Sequence, residues 1–301
     1  MERKDVLRKP EWLKIRLSHT DGYTNTGDVV REGLLNTICS SGRCPNQCEC
    51  WARGTATFMI GGDICTRSCR FCATKTGRPM PLDATEPERV ALSVKKLGLK
   101  HCVITSVDRD DLPDGGAAHW AETVRAIRSH NPSATVELLI PDFDGKAELL
   151  DMIISAGADI VGHNIETTAR LTPQVRSRAR YDLSLGVLRY LADHGQRVKS
   201  GLMVGLGEDD DEVIATLEDL RRAGCSIVTI GQYLQPTLRH HKLERYVHPD
   251  TFARYKEEAE RMGFDFVASA PMVRSSYMAE QALAKDKKEL KTSGVCPSHD
   301  E

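Results

Sequence analysis

The chain has 301 residues, 40% of them hydrophobic and 28% charged, which is enough to bury a sizeable core in one large α/β domain or two smaller ones. A formal net charge of -2 excludes an electrostatic nucleic-acid binder, since that function needs a concentrated basic footprint. Residues 1–17 alternate charges with single apolar residues, no run is long enough to span a bilayer, and ten cysteines without a secretion-type segment suit metal or catalytic use in a reducing compartment, so the expectation is a cytoplasmic protein with no membrane partner.

In chain order, residues 1–35 read as an irregular arm, because Pro10, Asp21-Gly22, Asn25-Thr26-Gly27 and Gly33 punctuate it at short intervals. The arm leads into Cys39, Cys44, Cys48 and Cys50, four sulfurs within twelve residues. Such a group can close a zinc knuckle unaided, or give three ligands to an iron–sulfur cluster that takes its fourth from elsewhere. The residues leave both readings open.

A second group, Cys65-x3-Cys69-x2-Cys72, follows the apolar run from Thr57 to Ile60. Three thiolates at this spacing hold a 4Fe–4S cluster by three irons and leave one iron open, where a small molecule can bind. A closed zinc site would want a fourth Cys or His at similar spacing, and no His follows close behind Cys72. A disulfide framework belongs to short secreted chains.

From Thr57 onward, apolar runs alternate with amphipathic stretches. The patterns predict strands at 57–61, 102–106, 135–140, 159–163, 199–204 and 227–231, and a shorter one at 264–269. Helices are predicted at 86–99, 118–129, 146–156, 182–194, 209–223 and 250–262, the last four ending at Gly157, Gly195, Gly224 and Gly263. Six β–α units in series imply an α/β fold with a parallel sheet, a partial (β/α)6 TIM-type barrel with N- and C-terminal extensions. The division is 1–54 for the extension carrying the first cysteine group, 55–263 for the barrel, and 264–301 for a C-terminal segment whose charged tail starts at Lys285.

Chemistry in such barrels sits at the carboxyl ends of the strands, where the Cys65 loop falls. The other strand-end loops carry Ser106 and Asp108-Arg109-Asp110-Asp111, His163-Asn164-Ile165-Glu166, Gly205-Leu206-Gly207-Glu208, and Gln232 to Pro236. Together they suit a cationic ligand such as a sulfonium amino-acid nucleoside. Each has a plainer reading. The acidic run fits turn and cap chemistry, His163 with Glu166 is too little for a metal site, and the glycines relieve crowding. Arg170, Arg176, Arg178 and Arg180 read as a solvated loop, with a docking patch for an acidic partner as the alternative. Cys102 and Cys225 read as core residues, and Cys296 as a free thiol.

The Cys65-Cys69-Cys72 motif after a first barrel strand resembles that of the radical S-adenosylmethionine enzymes. Together with Cys39-x4-Cys44-x5-Cys50, Ser106 to Gly116, His163 to Thr167, Gly201 to Gly207, Gly231 to Pro236 and Arg274-Ser-Ser-Tyr277, it resembles the lipoyl synthase family from about Gly33 to Ala279. The resemblance implies two 4Fe–4S clusters. One, on Cys65, Cys69 and Cys72, would bind S-adenosylmethionine and reduce it to a deoxyadenosyl radical. The radical would abstract hydrogen from carbons six and eight of an octanoyl group amide-linked to a lysine of a lipoyl carrier domain. The second cluster, on Cys39, Cys44 and Cys50 with Ser276 as fourth ligand, would give up its sulfide. Ser106, Asp108, Asn164 and Glu166 would contact S-adenosylmethionine.

Implied partners are an octanoylated dehydrogenase E2 subunit or glycine-cleavage H protein, an electron donor such as ferredoxin or flavodoxin, and a cluster-assembly protein. Cys48 is an extra thiol inside the second motif. Ala270 stands where the family usually has glycine, and Met80 where it has proline.

Overall fold

The computed structural model describes residues 7–14, 20–277 and 279–283; Lys285 onward and Cys296 lie outside them. Its frame is a sheet of eight strands. In chain order they are β1 (Asn36–Thr37), β2 (Thr57–Ile60), β5 (His101–Ser106), β6 (Thr135–Leu139), β7 (Ile160–Gly162), β8 (Val198–Val204), β9 (Ile227–Gln232) and β10 (Phe266–Ser269), and they lie in that spatial order. From β2 to β10 every pairing is parallel; only β1 runs antiparallel, with Asn36 opposite Met59. Helices α4 (Glu86–Leu97), α5 (Ala117–His130), α6 (Ala147–Ser155), α8 (Tyr181–Asp193), α9 (Asp210–Arg222) and α10 (Pro249–Arg261) provide the crossovers. This is the expected series of six units plus a closing strand.

The strands are buried on both faces, β2 and β9 along their whole length, as a parallel sheet covered by helices requires. Helix ends fall within a few residues of the predicted ones. Gly157, Gly195, Gly224 and Gly263 all follow helices with φ between +76° and +89°, where a side chain would be strained. Inside the sheet, buried Lys199 of β8 pairs with buried Glu137 of β6, and His101 of β5 lies 3.5 Å from the same carboxylate.

The arm is the main correction. Residues Asp21–Glu32 form helix α1, with Thr20 accepting a hydrogen bond from the Tyr23 N–H as its cap. Its glycines are packing devices and not turn signals. A Cβ on Gly22 would lie 2.3 Å from the Ala52 carbonyl, and one on Gly27 would press on the Trp51 ring at 3.3 Å. Both contacts hold α1 against α3 (Gln47–Ala52), which follows the short α2 (Ile38–Ser41). Such close approach is invisible to periodicity.

The presumed loop at 170–180 also contains a helical turn, α7 (Thr172–Val175). The Cys65 loop is bracketed by a two-stranded parallel ribbon, β3 (Ile64–Cys65) with β4 (Lys75–Thr76). The segment after Cys44 meets the segment after β10. Asn46 donates to the Met272 carbonyl at 2.7 Å, Tyr277 to Glu49 at 2.9 Å, and Arg53 pairs with Glu280 at 2.9 Å.

Candidate active site

A cavity of ≈ 360 Å³ opens at the carboxyl ends of the strands, a size suited to a small-molecule ligand. Cys65, Cys69 and Cys72 line it from one side, and Cys39, Cys44 and Ser276 from another. Ser106, Asp108, Asn164 and Glu166 line it as well, so the structure brings every sequence-derived candidate except Cys50 to one chamber. Cys50 lies behind the wall. It shares a smaller cavity of ≈ 50 Å³ with Cys39, Cys44 and Ser276. Cys48 lines neither space.

The Cys65 loop is fixed by one arginine within it. Arg67 makes paired 2.8 Å hydrogen bonds to Asp142 and another 2.8 Å pair to Asp110, and is itself buried. Backbone N–H groups of Arg67 and Asp108 point at the Cys65 sulfur, at 3.4 and 3.3 Å. The Ser177 hydroxyl lies 3.8 Å from the Cys69 sulfur, and the Arg70 N–H donates to the Val175 carbonyl at 2.8 Å. The loop is therefore preshaped, with donors facing sulfur.

The acidic run after β5 is divided among distinct tasks and is not merely a cap. Asp110 holds Arg67, Asp111 holds Arg109, and Asp114 caps α5 through the Gly116 and Ala118 N–H groups. Asp108 faces the Cys65 sulfur at 3.5 Å, and burial raises its carboxyl above the usual range. Glu166 is likewise raised by burial. It sits at φ +68°, a left-handed conformation rare for a side-chain-bearing residue, pinned by its N–H to Gly201 and its carbonyl to the Met203 N–H. Asn164 donates to Glu166 at 3.2 Å and to the Ser275 hydroxyl at 2.7 Å, joining the fourth strand-end loop to the Arg-Ser-Ser-Tyr segment. His163 is not a ligand candidate, because its ring nitrogens are engaged by the Ile140 carbonyl and Ser184 hydroxyl, both at 2.9 Å.

Composition and spacing missed several residues here. Arg176 is buried against Ser184 and the Ile165 carbonyl and lines the chamber, with its Nε lacking a partner among the described residues. The rest of that basic group is paired as well. Arg170 holds Glu212, Arg178 holds Asp144, and Arg180 lies 3.6 Å from Asp182. The group thus divides into one buried arginine and three that stay at the surface. The sequence signal was the apolar flank of Arg176, between Val175 and Ala179, both buried. Arg274, in the wall between the two cavities, and Thr57, whose hydroxyl donates to Ser276 at 2.8 Å, were also unforeseen.

The donor set of the two groups is thiol-rich. All nine described cysteines are free. Burial pushes up the thiols of Cys39, Cys44, Cys69 and Cys72, and those of Cys50 and Cys65 to about 12; a metal bound at such a group would displace the proton. Among the described residues no three Cys, His, Asp or Glu side chains converge on one point as a mononuclear ion demands. The thiols instead line the walls of cavities. That disposition leaves room for a polynuclear group between them.

A family model for the radical SAM superfamily matches residues 59–220. The chain is 58% identical over 279 residues to lipoyl synthase of Bacteroides thetaiotaomicron, covering 93% of this chain and 99% of that protein. It is 56% identical over 277 residues to lipoyl synthase of Parabacteroides distasonis, covering 92% and 99%. Among solved structures it is similar to methylornithine synthase, with TM-score 0.53 and 14% identity over 80% of this chain and 82% of that one. A maturase of the FeFe-hydrogenase gives TM-score 0.55 and 14% identity, over 75% and 61%. At that identity the structures speak for the fold alone: an α/β, TIM-barrel-like architecture.

Proposed function

We propose, from the premise that the chain belongs to the lipoyl synthase family of radical S-adenosylmethionine enzymes, that the two cysteine groups hold two 4Fe–4S clusters facing one chamber. The protein is a sulfurtransferase that inserts sulfur at carbons six and eight of an octanoyl group on a lipoyl carrier domain, the last step in making the lipoyl cofactor. When loaded, the cluster at Cys65, Cys69 and Cys72 supplies an electron for cleavage of S-adenosylmethionine, and the cluster at Cys39, Cys44, Cys50 and Ser276 is the sulfur-giving substrate. The observation that carries this reading is the sharing of one cavity by Cys39, Cys44, Cys50 and Ser276, with three of these four also walling the chamber of the Cys65 group.

The chain's own residues supply position and dryness. Arg67 locks the Cys65 loop to the barrel through Asp110 and Asp142, and the backbone donors at Cys65 favour its thiolate. Asp108, Asn164 and Glu166 offer acceptors to the amine and ribose hydroxyls of S-adenosylmethionine, while the Arg176 Nε–H, without a partner among the described residues, suits its carboxylate. Ser106 lies at the end of β5 beside them. Apolar residues Phe71, Val107, Leu202, Tyr233 and Leu234 line the same chamber, where an alkyl chain can lie away from water. Thr57 orients the Ser276 hydroxyl toward the Cys39 group.

The partners are an octanoylated dehydrogenase E2 subunit or glycine-cleavage H protein, a ferredoxin or flavodoxin as electron donor, and a cluster-assembly protein. The test is anaerobic incubation with S-adenosylmethionine, reductant and an octanoyl-lysyl peptide. Protein carrying about eight irons should give deoxyadenosine and a dithiolane product. Ser276→Ala should still give deoxyadenosine and no dithiolane. Zinc without iron, or full thiolation by Ser276→Ala, refutes the assignment.

A further inference from the structure

One buried donor beside the first cysteine group is left over. The indole of Trp51 is only 6% exposed, and its Nε1–H has no hydrogen-bond partner among the described residues. Buried N–H groups are rarely orphaned. The ring is clamped in place. Tyr23 packs on it with ring centroids 5.4 Å apart, the Gly27 backbone lies against its edge, and the Thr26 hydroxyl donates to the Trp51 carbonyl at 2.8 Å. The group that faces the indole N–H is the sulfur of Cys39, which the N–H and hydroxyl of Thr57 also approach. Cys39, Trp51 and Ala56 pack together as one buried cluster with Cys44 and Cys50 against it.

A neutral thiol is a weak acceptor, whereas an iron-bound thiolate carries charge and accepts strongly. We propose that Trp51 donates an N–H···S hydrogen bond to Cys39 in the loaded protein and so raises the reduction potential of the sulfur-giving cluster. Trp51 is a positioning and tuning residue, since it touches neither substrate nor reacting carbon. This rests on the reading that Cys39 ligates that cluster. Joining a carbon radical to a sulfide forms one C–S bond and leaves one electron over, which passes to iron. A hydrogen bond to a ligand sulfur favours the reduced, more negative cluster that receives it.

The test uses full-length chain in which Cys65→Ala, Cys69→Ala and Cys72→Ala remove the other cluster, so that the electron paramagnetic resonance signal reports the remaining one. Iron analysis comes first. If this parent binds no iron, the ligand assignment fails before any potential is read, and the inference falls with it. With about four irons bound, Trp51→Phe keeps the ring and deletes the donor. At the parent's midpoint potential its reduced fraction relative to oxidised should fall about tenfold, equivalent to ~59 mV for one electron. An unchanged midpoint overturns the proposal.

If Trp51→Phe does not fold or load, the parent chain is labelled with indole-15N tryptophan instead. A 15N hyperfine coupling on the reduced cluster supports the bond, and its absence overturns it. Trp12 meets His248 edge to face and Trp120 lies in α5, so neither borders the Cys39 group.

Discussion

Asp142→Ala tests whether the active-site loop is held by the Arg67 bridge. The carboxylate is 1% exposed and accepts two 2.8 Å hydrogen bonds from a guanidinium that is itself 5% exposed. Each charge-assisted bond contributes about 1.5–3 kcal/mol, and breaking a buried pair on one side costs about 3–5 kcal/mol. Arg67 keeps its paired bonds to Asp110, which is 19% exposed, so the lower end applies and the expected loss is about 3 kcal/mol. Urea unfolding of iron-free full-length protein should show a lowered midpoint with unchanged slope.

The pH dependence supplies a second readout. Burial alone would raise the Asp142 carboxyl, but Arg67 outweighs it and holds the group well below the usual range. A depressed carboxyl contributes stability that is fully present above its unfolded value, about 3.9, and is lost as pH falls through the folded one. The gap between parent and Asp142→Asn should therefore be constant from about pH 5 to 8 and shrink only below about pH 4. A stability loss under about 1 kcal/mol, or a gap that closes near neutral pH, would refute the reasoning.

Gly231→Ala should displace the Arg-Ser-Ser-Tyr segment, because its Cβ would lie 2.2 Å from the Val273 carbonyl; iron content should fall from about eight to about four with far-UV circular dichroism unchanged. Cys48→Ser should leave iron content and thiolation intact, since Cys48 borders neither cavity; a loss of iron would make it a ligand. Lys199→Met leaves Glu137 buried without its 2.5 Å partner and should destabilise by about 3–5 kcal/mol in urea, with Glu137→Leu added in the same chain recovering most of that.

Much of the barrel was legible because its signals are local. Two-sided burial makes β2 and β9 continuous apolar runs, and glycine after a helix is tied to a backbone angle. Cluster ligands were legible for a related reason: thiol chemistry is rare, and Cys-x3-Cys-x2-Cys lies within one loop. Helix α1 was missed because Gly22 and Gly27 disfavour a helix locally, and only contact with Ala52 and Trp51 explains them.

By itself the sequence determined the order of strands and helices, the thiol-rich loops and, through its motifs, the family. The tertiary structure alone decided which polar groups serve which task. Arg176 and Arg178 are two residues apart, yet one is sealed under the chamber and the other pairs with Asp144 at the surface. Ser276 meets Thr57 across 219 positions, and Trp51 turns its one donor toward Cys39. The physical reason is that the strength of a charge or donor depends on burial and on the partners facing it, and both are set by segments far away in the chain.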